Sequence, residues 1–405
     1  AGSTIGQFTS LHDDAGTTVT YRLMASHLTD FGLIPGGWFT VGALVEDNYS
    51  NSPSRKIFVS EFFMAKTEVT LQRWEQVRTW SLSNGYPDLD VGAGTGNAYP
   101  VGGVNWFNMT TWCNAVSEME GLTPCYYDTS GGVIRTGTGT RICDWTADGY
   151  RLPTEAEWEK AAKGGRLNSR YPWGNTISHA LANYASSNGD YGDLSNGAGG
   201  HPTYGGGYSP VGSFAANDYG IFDTVGNAYE MVWDRTNVTP GAFSNGAINP
   251  IGAGGNTYRM MKGGSVHESA FKSMSAARSY FRALNRVQSR GFRIARSNVA
   301  HGYPFTLEAN GTLKTATTFD FESNASTYAI RVEARDEYNA SVESNFTITL
   351  TNLNEPPANL SSTVSLTIAE NQPIGTVAGI FNATDPDANA SLTYSLVSGA
   401  GDANN

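Results

Sequence analysis

At 405 residues the chain exceeds what one hydrophobic core usually organises, so two or more domains are expected. A net charge of −11 argues against sequence-independent binding to nucleic acid, whose phosphates would repel an acidic surface, and is compatible with cation binding. Charged residues reach only 16% while glycines number 47 and aromatics make up 12%, which argues against a helical bundle or a largely disordered chain and favours a packed, loop-rich fold.

Residues 1–30 read as a short lead-in. The opening "AGSTIGQFTS" has neither a charged n-region nor an apolar h-region, and no apolar run reaches the roughly 18 to 20 residues of a membrane span. The chain is therefore expected to be soluble, with any export signal removed or lying upstream. Residues 34–45, "IPGGWFTVGALV", and 55–69, "RKIFVSEFFMAKTEV", read as strands between Gly and Pro punctuation. Thr70 opens a helix carrying Leu71, Trp74, Val77 and Trp80 on one face, and Asn84-Gly85 stops it. A second helix runs from Asn105 to Gly121. A third is announced by "RLPTEAEWEKAAKGG", with Thr154 as N-cap, Glu157 completing a capping box and Gly164 ending it.

Residues 166–255 lack any sustained period and are expected to form long surface loop pinned by aromatic residues, with His179 and His201 as hydrogen-bonders within it. After residue 298 the pattern turns to strands alone, with period-two alternation in "YAIRVEARDE" and "NFTITLTNL", which predicts a β-sandwich. Cys113 sits in a helical pattern and reads as a buried thiol, whereas Cys125 and Cys143 flank a turn-rich segment and are open either to bridging two strands or to staying reduced.

Two stretches carry candidate chemistry. "KGGSVHESAF" and the arginines that follow it, Arg278, Arg282, Arg286, Arg290, Arg293 and Arg296, form the one basic stretch of an acidic chain. Pairing with carboxylates such as those of "PTEAEWE" is the simpler expectation; an anionic ligand or peptide carboxylate is the sharper one. Ser265 would be a nucleophile only with a base beside it, and His267 and Glu268 are adjacent in sequence with no second His near. In "DTVGNAYE", Asp223 and Glu230 bracket a Gly- and Asn-bearing loop that suits a hard cation, or else form a buried carboxylate pair meeting backbone donors.

The runs "IPGGWFTVGA", "MAKTEVTLQRW", "PVGGVNWFNMTTWCN", "GYRLPTEAEWEKAAKGG", "YPWGN", "SPVGSFAANDYGIFDTVGNAYEMVWD", "MKGGS" and "RGFRIARS" stand in family order. By them residues 1–300 resemble the formylglycine-generating enzyme, or sulfatase-modifying factor, family. That resemblance implies an α+β, C-type-lectin-like domain with a structural calcium on Asp223, the carbonyls of Gly226 and Ala228, and Glu230. It implies a second calcium begun by Asn183 and the Tyr184 carbonyl, with Asp190 and Asp193 the only nearby acids. The generators hold copper on two cysteines between "GGS" and "GFR"; here that interval has no Cys, and Ile294 follows "GFR", so no soft thiolate is available for Cu(I). The cleft implied by the family leaves Tyr229, Ser265, His267, Arg278, Arg282 and Arg293 as candidate ligand contacts.

Residues 303–405 resemble cadherin repeats through "FTLEANGTLKTATTFDFE", "ITLTNLNEPPAN" and "IAENQPIGTVAGIFNATDPDANASLTYSLVSGAGD". The resemblance implies inter-repeat calcium on Asp320, Glu322, Asn352, Asn354, Asp385 and Asp387, with Glu333 and Asp336 offered to a further site; solvated loop carboxylates are the alternative. Residues 301–355 match the second half of a repeat and 356–405 the first half, which reads as a truncated array or as one permuted sandwich. The expectation as a whole is a secreted, extracellular or cell-surface recognition or scaffold protein, stabilised by calcium, with a glycan or peptide ligand and without copper chemistry. An adhesion stalk capped by the first domain is a variant of it. The competing expectation is an enzyme of the same family, or of its non-heme iron relatives, with an unrecognised catalytic set around Ser265, His267 and the arginines that follow. Asn108 and Asn345 head glycosylation sequons.

Overall fold

The computed structural model describes residues 4–7, 19–24, 30–47, 52–187, 190–236, 243–252, 257–298, 305–316, 318–322, 326–336 and 341–397. The chain divides into two compact units, one of residues 27–301 and one that joins residues 1–26 to 302–405.

The unit of residues 27–301 is built on two four-stranded sheets with few helices. One sheet runs Ser279–Arg282, Tyr258–Lys262, Tyr229–Thr236, Arg290–Gly291, the last strand parallel to its neighbour. The other runs Phe31–Ile34, Phe62–Ala65, Ala295–Ser297, Tyr150–Arg151 and is antiparallel throughout. Its first and last strands in sequence both pair with Phe62–Ala65, so the unit begins and ends on one sheet. Helices α1 (Leu71–Leu82), α2 (Trp106–Met119) and α3 (Glu155–Lys163) start where sequence predicts: Thr70, Asn105 and Thr154 each accept from the backbone N–H three residues on. Thr154 and Glu157 form the reciprocal capping box, and Gly164 ends α3 at φ 58°, a left-handed conformation that glycine adopts without a Cβ clash. Trp74 on α1 stacks on Trp112 of α2 at 5.8 Å, and Phe292 meets both edge-on. Between Lys163 and Tyr229 the described chain contains only a single short 3-10 turn, as the irregular composition implies.

The second unit differs from expectation at its beginning. Residues 1–26 are no lead-in to the first domain: Thr4–Gln7 pairs with Thr312–Thr315, and Thr20–Met24 pairs with Thr327–Arg335. Each of two three-stranded sheets thereby gains one N-terminal strand, around a core of Phe305, Leu313, Ile330 and Val332 against which Tyr21 packs. The physical reason is period-two alternation in "TVTYRLM", which suits a strand laid against a partner sheet.

Candidate functional site

The arginines of the basic stretch are mostly consumed inside the 27–301 unit. Arg278 grips Glu155 at the start of α3 through Nε (2.6 Å) and Nη2 (2.9 Å). Arg286 pairs with Asp90, and Arg296 lies 3.8 Å from Asp148. Arg293, wholly buried, donates to both oxygens of Glu230 at 2.5 Å and to the carbonyls of Ala65, Lys66 and Phe222. Lys262 of the Lys-Gly-Gly-Ser run is likewise buried and donates to Glu159 at 3.1 Å. Arg278 and Arg293 are thus removed from the set of cleft contacts: both are cations of internal ion pairs, whose loss would leave a buried charge unmatched.

The other four cleft candidates differ in exposure: Tyr229 and Ser265 are buried, His267 and Arg282 exposed. Tyr229 is buried with its hydroxyl 3.1 Å from Ser279 Oγ, and burial pushes that phenol above its ordinary range. Ser265 is buried and accepts from the His267 backbone N–H, not from its imidazole, which belongs to an exposed residue. Arg282 is exposed, its guanidinium 5.7 Å above the Tyr258 ring. A cavity of about 410 Å³ lies elsewhere, lined by Glu61, Trp145, Arg151, Glu157, Asn249 and Ile251 among others. Arg151 forms a bidentate pair with Glu157 at 2.7 Å there and stacks 4.9 Å from the Trp145 ring.

The calcium set splits in two. Asp223 takes φ 54°, accepts from the Gly212 N–H through Oδ2, and has a buried Oδ1 with no partner among the described residues. A space of about 10 Å³, room for roughly one water-sized sphere, abuts it beside Thr224 and Asn217. Burial pushes Asp223 up to about 6. Glu68, which sequence reasoning missed, has a second orphaned oxygen: Oε1 accepts from Asn227, Oε2 is buried without a partner, and burial reinforced by Asp223 raises it well above the carboxylate range. The "TEV" signal in the sequence was only a lone acid before a helix. Glu230 does not fit the ligand role, because Arg293 and Trp158 Nε1 (2.6 Å) already occupy its two oxygens. Three buried acids therefore face one guanidinium, with free oxygens on Asp223 and Glu68, a donor set that suits a hard cation.

The second calcium set is partly satisfied from within. Asp193 accepts from Tyr184 and Ser186 hydroxyls and from the Ser187 and Ser195 N–H groups, and the Tyr184 carbonyl meets His179 Nε2 at 3.1 Å. Only Asn183 keeps a buried, unpartnered Oδ1; the Asp190 side chain lies outside those described. His201 Nε2 in turn lies 2.8 Å from the His179 carbonyl, so both histidines brace the loop. All three cysteines are free and buried, and burial raises each thiol, Cys125 to about 12. The Cys125–Cys143 bridge is corrected by register: Cys143 pairs with Tyr126, so adjacent Cys125 projects to the opposite face of the ribbon.

In the other unit one group of acids comes together among the described residues. Carboxylate oxygens of Glu322, Glu355 and Asp387 lie within 4.8 Å of one another. Asp387 accepts from Asn352 Nδ2 (2.8 Å) and the Glu355 N–H (2.9 Å), while its own N–H donates to Asp385, and the Glu322 N–H donates to Asp320. Asn354 instead donates to the Glu355 carbonyl. Glu355 was missed; its Oε2 is buried and unpartnered, and burial together with Glu322, Asp387, Asp320 and Asp385 raises its carboxyl. Glu333 is buried and paired with Arg335 at 2.5 Å, which makes it a structural anion.

Comparison with known proteins converges on the larger unit. The profile of the sulfatase-modifying factor enzyme 1-like domain matches residues 20–298. The chain is 28% identical over 295 residues to a formylglycine-generating enzyme of Bos taurus, covering 65% of this chain and 73% of that protein. It is 29% identical over 284 residues to the chaperone protein LppX of Paenibacillus barcinonensis, covering 66% and 89%. Among solved structures, Treponema denticola variable protein 1 is similar with a TM-score of 0.52 at 25% identity, covering 68% of this chain and 99% of that one.

Proposed function

The chain belongs to the sulfatase-modifying factor enzyme 1-like domain family, and from that premise we propose that it is a calcium-stabilised extracellular recognition or scaffold protein that does not perform the family's copper-thiolate oxidation. One observation carries the reading. The only three thiols, Cys113, Cys125 and Cys143, are buried and raised by burial, and all lie outside residues 262–297, where copper cysteines are expected. A Cu(I) site needs deprotonated sulfur, and a thiol raised in this way stays protonated near neutral pH.

Calcium is proposed for two places. In the 27–301 unit Asp223 and Glu68 would supply the free carboxylate oxygens, with loop carbonyls completing the shell; bound calcium would neutralise the excess of buried anions over Arg293. In the other unit Glu322, Glu355 and Asp387 would hold the ion, with Asp320 and Asp385 around them, as in cadherin-like repeats. The ligand is a glycan or a peptide taken in the cavity beside Trp145, where an aromatic face stands among the polar groups of Glu61, Asn249 and Asn298. An active nucleophile at Ser265 is not favoured, since it is buried and meets the backbone N–H of His267, with no imidazole on it among the described residues.

The test is to supply Cu(I) and oxygen with a cysteine-containing substrate peptide and follow aldehyde formation by mass spectrometry, alongside a competent generator. No aldehyde is expected above the copper-only control. Turnover that requires the protein overturns the reading.

A further inference from the structure

The cavity of about 410 Å³ in the 27–301 unit has the size of a small-ligand pocket, and its charges are nearly all spoken for. Arg151 holds both oxygens of Glu157 at 2.7 Å, and its Nε donates to Ser297 Oγ at 3.2 Å. Glu61, which accepts from Asn298 Nδ2 at 2.5 Å, leaves the lining net negative. Among the described lining residues no unpaired cation therefore stands ready for a phosphate, sulfate or carboxylate. The other polar groups are neutral, the hydroxyls of Ser60, Thr154 and Ser297 and the amides of Asn249 and Asn298. Trp145 stands among them half-buried, its indole braced by Arg151 at 4.9 Å and by the perpendicular ring of Trp233 at 5.9 Å.

The strands bordering this cavity offer no free edge for main-chain capture of a peptide. Arg55–Val59 pairs with Gly37–Val41 on one side and exchanges bonds with Gly246, Ala247 and Asn249 on the other. Phe62–Ala65 lies between Phe31–Ile34 and Ala295–Ser297. Beside Arg151 the N–H groups of Tyr150 and Leu152 go to Ser117 Oγ and the Tyr126 hydroxyl, each at 2.8 Å. Next to the cavity runs an aromatic row. Trp38, Phe58 and Ile248 are cross-strand partners on one face, Trp38 is 51% exposed and Ile248 66%, and Ser60 of the lining shares the face of Phe58 two residues on.

We infer that the cavity beside Trp145 binds a neutral oligosaccharide, with further sugar rings laid along Phe58 and Trp38; this rests on the chain being a recognition protein, as proposed above. The negative face of an indole attracts the polarised C–H groups of a pyranose ring, and the ring's hydroxyls pair with amides and hydroxyls that both donate and accept. An acidic sugar would meet Glu61 without a cation to offset it.

The 405-residue chain is screened on an array of neutral di- to hexasaccharides, with heparin fragments and sialylated glycans alongside, and separately against a phage library of linear heptapeptides. Ligands retained are titrated calorimetrically against Trp145→Ala, Ile251→Trp and Trp38→Ala. Neutral oligosaccharides are expected to bind, and to lose at least about tenfold in affinity in Trp145→Ala and in Ile251→Trp. Ile251→Trp fills the cavity from an exposed position, so the test stands even where Trp145→Ala loosens the fold. Trp38→Ala should cost a hexasaccharide about threefold or more and a disaccharide nothing; equal affinities overturn the extended seat. A heptapeptide displaced by Ile251→Trp with no sugar bound overturns the glycan inference and leaves recognition at this cavity standing. Retention of acidic glycans alone does the same. Sugar binding untouched by both cavity variants, or no ligand of either kind, overturns the cavity as a recognition site together with the inference.

Discussion

Arg293 offers the sharpest test of how the 27–301 unit is held together. Arg293→Met removes two 2.5 Å charge-assisted bonds to Glu230 and three bonds to the Ala65, Lys66 and Phe222 carbonyls, leaving a fully buried Glu230 with only Trp158 Nε1 as donor. Breaking one partner of such a pair costs about 3–5 kcal/mol. For a domain of this size that is a fall in Tm of roughly 6–20 °C. All nine tryptophans lie within residues 27–301, so intrinsic fluorescence on heating follows this unit alone. The double variant Arg293→Met with Glu230→Met removes both charges and is expected to lose less than half as much. A single variant that melts within about 2 °C of the parent, or a double variant worse than the single, refutes the reasoning.

Three further outcomes follow from named residues. Burial, then Glu155, pushes Asp234 up to about 7, so the fold favours its protonated form; its contribution is present at low pH and is lost as pH rises from about 4 to about 7. Urea midpoints measured near pH 5 and pH 8 should fall with rising pH, and Asp234→Asn should flatten that slope; an unchanged slope contradicts the assignment. Glu355→Gln should weaken calcium binding by about tenfold or more in isothermal titration, with Asp387→Asn doing the same, while Glu333→Gln, already spent on Arg335, should not. Thr154→Ala removes the α3 cap and half of its capping box, costing about 1 kcal/mol and roughly 2–4 °C in Tm; an unchanged melt means the buried Arg278–Glu155 pair alone fixes that helix start.

Local signals were read well from the sequence because their causes are local. Thr70, Asn105 and Thr154 cap helices through the residue three positions on, and Gly164 ends α3 by its own backbone freedom. Pairing of the arginines with carboxylates was also legible, since an acidic chain with one basic stretch must match charges somewhere. The pairing of Thr20–Met24 with Thr327–Arg335 was not, because strand partners some three hundred residues apart leave no mark in either segment beyond alternation. Glu68 and Glu355 were missed for a related reason: each is a lone acid in sequence and becomes a member of a cluster only when distant loops meet. The Cys125–Cys143 question turned on which face of a two-residue ribbon each side chain takes, and a shift of one residue reverses that answer.

The family domain is proposed to be held by buried ion pairs and calcium in place of working copper thiolates. Metal content of the purified full chain, measured by inductively coupled plasma mass spectrometry after exposure to both calcium and Cu(I), tests it most directly. Retained calcium, lost on chelation together with some thermal stability, and no retained copper is the predicted result. Stoichiometric copper or iron that survives dialysis would contradict it.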